Sequence, residues 1–174
     1  MGLTNKSTGI NASETKLVIK KQSRNDKVVA IAGNPNVGKS TVFNGLTGLH
    51  QHTGNWPGKT VTNAQGYCRG KENSYVLVDI PGTYSLLAHS AEEEVARNFI
   101  CFEHPDVIVV VCDATCLERN LNLVIQTIEI HTNVIVCVNL LDEAKKKGID
   151  IDLEQLSSCL GVPVIGITAR KKTD

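Results

Sequence analysis

Five short apolar runs limit what this chain can fold into more than any other feature of it. They cover residues 28–32, 75–80, 107–111, 134–138 and 162–167, and each is rich in β-branched side chains. They are continuous rather than alternating, so a strand built from any of them has two apolar sides. Such strands need cover on both faces, the condition of a mostly parallel sheet between layers of helices. Between the runs lie helical patterns. Val95, Phe99 and Phe102 are spaced i, i+4, i+7 behind Glu92, Glu93 and Glu94, whose charges suit a helix N-terminus. Leu121, Val124, Ile125 and Ile128 form a second stripe, and residues 152–160 a shorter helix. Both stripes are expected to face the core. Residues 61–70 precede a Gly-Lys-Glu-Asn turn and read as one antiparallel edge strand beside 75–80. The predicted fold is therefore α/β and doubly wound: a mostly parallel sheet, one antiparallel edge strand, helices on both faces.

Composition narrows the function. With 18 Lys+Arg against 18 Asp+Glu in 174 residues, the chain lacks the basic excess of a nucleic-acid footprint, and no nucleic-acid partner is expected. No run approaches the ~20 apolar residues that cross a bilayer. The 6 cysteines contain no Cys-x-x-Cys pair and read as reduced, small hydrophobes. Residues 1–26 are polar apart from Leu17, Val18 and Ile19 and read as a flexible leader, with one domain over 27–174.

The chemistry sits at the ends of the predicted strands. After the first comes Gly33-Asn34-Pro35-Asn36-Val37-Gly38-Lys39-Ser40-Thr41 and then a helical pattern, which is G-x-x-x-x-G-K-[ST] in its required setting. The two glycines let the backbone turn its N–H groups around phosphate oxygens, and the helix N-terminus adds positive charge there. Lys39 is placed to bridge the β- and γ-phosphates and the Ser40 hydroxyl to ligate magnesium. Asp79-Ile80-Pro81-Gly82 ends the 75–80 run, with a carboxylate for magnesium and a glycine N–H for the γ-phosphate. Asn139-Leu140-Leu141-Asp142 ends the 134–138 run. A carboxylate at Asp142 can accept both guanine N1–H and N2–H₂, donors that adenine lacks. Thr168-Ala169-Arg170 follows the last strand and offers the Ala169 N–H to guanine O6. All four motifs fall in order at the strand ends where open α/β sheets bind ligands. They point to a GTPase. A small ATP-using P-loop enzyme gives no account of Asn139 and Asp142.

Together these motifs resemble the translation-factor-related P-loop GTPases, and one further segment narrows the likeness. Gly54-Asn55-Trp56-Pro57-Gly58-Lys59-Thr60-Val61, taken with Gly33-Asn34-Pro35-Asn36 and Asp79–Leu86, resembles the G domain of the ferrous iron transport protein B family over residues 27–170. The resemblance implies that residues 54–62, Gly58 to Thr62 among them, form a nucleotide-sensing segment, switch I, in which Thr60 ligates magnesium, and that Asp79 opens switch II. It implies that Asn36 helps hold an activating potassium ion, so that Lys39, Thr60 and Asn36 are the catalytic candidates. A glutamine after Asp-x-x-Gly orients the attacking water in Ras-like enzymes; Thr83 stands there instead, so slow intrinsic hydrolysis is expected. Folds of this kind place another helix beyond Thr168-Ala169-Arg170, so the chain is expected to be cut from a longer protein. In the family a helical regulatory domain and a membrane permease domain follow, which would put this domain at the cytoplasmic face of the cell membrane. A soluble GTPase of ribosome assembly or tRNA modification shares the four nucleotide motifs and is the alternative reading. Oligomeric state is not legible.

Overall fold

The computed structural model describes residues 17–48, 51–57, 59–87 and 90–168. In chain order its elements are β1 (Lys27–Gly33), α1 (Lys39–Thr47), β2 (Gln51–Asn55), β3 (Thr62–Arg69), β4 (Ser74–Asp79), α2 (Ala91–Phe102), β5 (Val107–Asp113), α3 (Leu117–Ile130), β6 (Val134–Asn139), α4 (Leu141–Lys146), α5 (Leu153–Leu160) and β7 (Val164–Gly166). A single 3₁₀ turn, Ala114–Cys116, leads into α3. The strands form one sheet in the order β2-β3-β4-β1-β5-β6-β7. All five apolar runs have become strands, and β1 lies parallel to both β4 and β5 at the centre. The antiparallel edge carries one strand beyond the expected β3. Gln51–Asn55 pairs with it as β2, although Gln-His-Thr-Gly-Asn has no apolar alternation to announce a strand.

Two apolar clusters, one on each face of the sheet, account for the doubly apolar strands. Ala30, Val78, Val110 and Val138 pack with Phe99, Ile100, Leu123 and Val124 of α2 and α3. Ile31, Leu77, Val111 and Cys137 point the other way and pack with Val42 and Phe43 of α1.

Most of each expected stripe faces the core: Val95 and Phe99 are buried in α2, Val124 is buried in α3, and Leu121 and Ile128 pack against the same cluster. In α2 the buried residues are Val95, Ala96, Phe99 and Ile100, while Phe102 is 63% exposed. In α3 they are Asn120, Leu123, Val124 and Thr127, and Ile125 is 49% exposed. Of the stripe residues only Phe102 and Ile125 turn outward, and in α3 polar side chains share the buried face. The Asn120 amide donates to the Cys116 carbonyl at 2.7 Å and the Thr127 hydroxyl to Leu123 O at 2.7 Å, so each is satisfied within its own helix. Lys145 and Lys146 occupy the last turn of α4, where their charge complements the helix dipole.

Residues 17–26, expected to belong to a flexible leader, are bonded to the domain. The buried Asp26 accepts from the N–H groups of Gln22 and Ser23 at 2.7 and 2.8 Å and from the Ser74 hydroxyl. Residues 1–16 lie outside the described part. All six cysteines are free thiols, and burial pushes Cys112 up to about 12 and Cys137 to about 11. Among the described residues no helix is long and apolar enough to cross a membrane.

Candidate functional site

Parallel pairing brings the candidate residues to one edge. Register sets Ile31 against Asp79, Gly33 against Val111, and Asp113 against Asn139, so the ends of β4, β1, β5 and β6 fall side by side. The loop between β1 and α1 rises from that edge. It turns through residues with positive φ, Asn36 at 66° and Gly38 at 82°. At Gly38 a methyl would also lie 2.4 Å from Asn139 Nδ2. Glycine is required there both for its backbone and for its missing side chain.

The close approach at Gly38 has a purpose. Asn139 is 1% exposed and its amide donates to the Val37 carbonyl at 3.0 Å, tying the loop to the end of β6, 102 residues away in sequence. Leu140 then takes φ 63°, and the chain turns into α4 with Asp142 in its first turn. The Ile167 N–H donates to Val138 O at 2.8 Å, which brings Thr168 beside the same strand end. Ala169 and Arg170 lie outside the described residues, as does Gly58.

On the other side of the loop, Lys39 Nζ is ion-paired with Asp79. Burial pushes the Asp79 carboxyl above its ordinary 3.8, and the Lys39 ammonium beside it pulls the other way. Lys39, Asp79, Pro81, Thr60 and Thr62 line one cleft of ≈ 500 Å³, so residues from three separate motifs meet there. Ser40 and Thr41 are exposed at the start of α1, next to Lys39. The available donors near Lys39, the Ser40 and Thr60 hydroxyls and the Asp79 carboxylate, are all oxygen, the set a hard divalent cation takes. Asp79 already faces a cation, the Lys39 ammonium. The donor chemistry therefore fits magnesium. Asn36 is exposed on the loop.

Switch II begins tightly held. The Ile80 N–H donates to Ile31 O at 3.0 Å and the Thr83 N–H to Gly33 O at 3.1 Å. Gly82 backs onto Pro35, whose Cα would lie 3.2 Å from an added methyl. Thr83 is 1% exposed, and its hydroxyl donates to Ser85 O at 2.6 Å. Switch I is anchored by contacts that motif reading missed. Trp56 is buried edge-on against Phe99 of α2, with ring centroids 5.4 Å apart, a pairing worth ~0.5–1.5 kcal/mol beyond area. Lys59 Nζ reaches Glu94 Oε2 at 2.5 Å and holds that carboxyl below its ordinary range. The sequence carried a signal for Glu94, the acidic first turn of α2, but that signal read only as a match to the helix dipole.

The model of the family described as ferrous iron transport protein B matches residues 27–174. The Fe(2+) transporter FeoB of Shigella flexneri is 42% identical over 147 residues, which is 82% of this chain and 19% of the relative. Among solved structures, the cytosolic domain of L. pneumophila FeoB superposes with TM-score 0.81 at 42% identity, covering 84% of this chain and 58% of that one. The cytosolic domain of T. maritima FeoB in a GMPPNP form gives TM-score 0.80 at 39% identity, covering 83% and 57%. This chain thus spans about a fifth of the length of the curated relatives it matches, and the soluble ribosome-assembly or tRNA-modification reading is not favoured. The match over nearly the whole described chain, on a P-loop GTPase fold with its strand-end motifs in place, means that the chain belongs to the ferrous iron transport protein B family, as a G domain.

Proposed function

We propose that this domain binds GTP, hydrolyses it to GDP and phosphate, and thereby acts as the switch of a ferrous iron permease at the cytoplasmic face of the membrane. The observation that carries the reading is the Asn139–Val37 hydrogen bond, which fixes the base-reading motif and the phosphate loop to each other at 3.0 Å. A nucleotide spanning the two is held at both ends by one rigid unit. In this reading the N–H groups of the 33–41 loop cradle the phosphates, Lys39 leaves Asp79 to bridge the β- and γ-oxygens, and the Gly82 N–H meets the γ-phosphate. Asp142 accepts from guanine, Leu140 and Leu141 flank the base, and Thr168 with Ala169 and Arg170 closes over its O6 edge. Ser40, Thr60 and Asp79 would hold magnesium, which when bound neutralises charge on the phosphate oxygens. Gly58, Lys59, Thr60, Val61 and Thr62 respond to the γ-phosphate.

The orientation of Thr83 supports a slow intrinsic rate. Its hydroxyl is buried and committed to Ser85 O, so no side chain at that position is free to orient water. Asn36 would help hold a potassium ion, which when bound would supply positive charge of the kind an arginine finger supplies elsewhere. The membrane permease and helical regulatory domains of the family are the partners of the switch.

Calorimetry with GDP, GTP, ATP and XTP on wild type and Asp142→Asn tests the base assignment. Wild type should bind the guanine nucleotides and neglect ATP, and the variant should shift toward XTP, whose O2 accepts from the new amide. Equal wild-type affinity for ATP and GTP refutes it.

A further inference from the structure

Residues 17–20 precede the stretch matched by the family, yet they touch the segment proposed to switch. Leu17 is 9% exposed and belongs to the same apolar cluster as Trp56, Val61 and Phe99. With Trp56, Pro57, Val95 and Phe99 it lines a small cavity of ≈ 150 Å³ between switch I and α2. Its neighbour Val18 is 76% exposed, so the strap turns one side chain in and the next out. Its backbone is held mainly by one residue. The Lys20 N–H donates to Gln65 Oε1 and Gln65 Nε2 donates to Val18 O, both at 3.0 Å. The Tyr67 hydroxyl adds a bond to Lys20 O at 2.5 Å. Gln65 is 5% exposed on β3 and stands opposite His52 of β2, so the strap lies along the hairpin whose connection carries Trp56 to Val61.

We infer that residues 17–20 are a clamp on switch I, with Leu17 as the positioning residue beneath Trp56. The inference rests on the reading of residues 54–62 as the nucleotide-responsive segment. Three features hold Trp56 and Lys59 against the domain: the apolar cluster and cavity lining that Leu17 shares with Trp56, the Phe99 stack and the Glu94 ion pair. Only the first comes from outside the matched G domain. The strap is attached by side-chain bonds rather than by a strand ladder, the kind of element that opens locally at small cost. The Trp56 Nε1–H is buried without a protein acceptor among the described residues, which makes its seat weaker than that of a fully satisfied core tryptophan. Movement of Trp56 removes the wall against which Leu17 packs. By reciprocity, if the choice of nucleotide shifts the strap through switch I, releasing the strap shifts the relative affinity for the two nucleotides by the same coupling free energy.

Trypsin reports the strap directly, because Lys20, Lys21 and Arg24 are all exposed. The experiment follows cleavage after these three residues by mass spectrometry in GDP and in GMPPNP, alongside emission from Trp56, the only tryptophan in the chain. The clamp predicts a nucleotide-dependent change in emission and at least about a fivefold difference in cleavage rate, the low end of typical site-to-site coupling. It also predicts that Leu17→Ala, and independently Gln65→Met, change the ratio of GDP to GMPPNP affinity by at least about fivefold. Unequal emission with equal cleavage rates overturns the clamp and leaves the switch reading intact. An affinity ratio unchanged in both variants also overturns it. Identical emission in the two nucleotides overturns the switch reading itself, and the clamp falls with it.

Discussion

Replacing Gly38 by alanine tests whether the phosphate loop and the base-reading strand are one mechanical unit. Gly38 has φ 82°, a left-handed conformation that costs an ordinary residue roughly 1–2 kcal/mol. The new methyl would stand 2.4 Å from Asn139 Nδ2, so the Asn139 amide must move and its 3.0 Å bond to Val37 O must break. Losing that hydrogen bond at a site only 1% exposed costs about 1–3 kcal/mol more. The sum, about 2–5 kcal/mol, is a large part of the ~5–15 kcal/mol that holds a domain together. Urea unfolding should show that loss. Calorimetry should show GDP binding weakened by about 10- to 100-fold, because a loop that has relaxed must be restored before its N–H groups meet phosphate. Gly45 supplies the control: it lies in α1 with nothing within 4 Å of an added methyl. There alanine should stabilise by about 0.5–1 kcal/mol and leave GDP binding alone. If Gly38→Ala unfolds within ~0.5 kcal/mol of wild type and binds GDP equally well, the hinge between loop and strand carries no energy and the reasoning fails.

Two further outcomes can be measured on the same protein. Asp79 titrates above its ordinary 3.8 in the folded state because burial outweighs Lys39. As pH rises through 3.8 the unfolded carboxyl ionises while the folded one keeps its proton, so this residue removes stability from there up to its raised value and nothing further above it. Urea midpoints across pH 3–7 should therefore show Asp79→Asn gaining on wild type over that window, by about 1.4 kcal/mol per unit of elevation, and a flat or opposite difference curve refutes the burial argument. GTP hydrolysis should run faster in potassium than in sodium at equal ionic strength, and loss of the Asn36 side chain should abolish the difference with GDP binding nearly intact. Asn36→Gly is the cleaner variant because φ is 66° there, and equal wild-type rates in the two salts refute the potassium site.

The centre of the fold could be read from sequence because each apolar run answers to a local rule. A run such as Val107 to Val111 has no polar side to turn toward water, so it can only lie inside a covered sheet. The edge obeys no such rule. β2 is Gln-His-Thr-Gly-Asn, and it is a strand because β3 offers it a partner rather than because of its own residues. The helix stripes were legible except at Phe102 and Ile125, and the polar members of the buried face were not. Asn120 and Thr127 look like solvent-facing residues until their hydrogen bonds to Cys116 O and Leu123 O are seen.

The same division runs through the site. The phosphate loop, the Asp79 motif and the Asn139 motif could be found by spacing alone, since each meets its neighbours at a strand end and parallel register lines the ends up. What holds switch I could not be found that way. Its tethers pair residues 35 positions apart at Lys59–Glu94 and residues of separate elements at Trp56–Phe99, and Leu17 shares the apolar cluster of Trp56. None of these partners carries a motif, and each has an ordinary explanation in isolation: Glu94 as a helix-start charge, Phe99 as core, Leu17 as part of a polar leader. Nucleotide chemistry needs fixed residue types at fixed spacing, because phosphate and base present the same atoms to every protein that binds them. The restraint on a moving segment needs only that something apolar or oppositely charged be within reach. It can be assembled from whatever the neighbouring helix and the preceding chain provide, so it is written in contacts rather than in motifs.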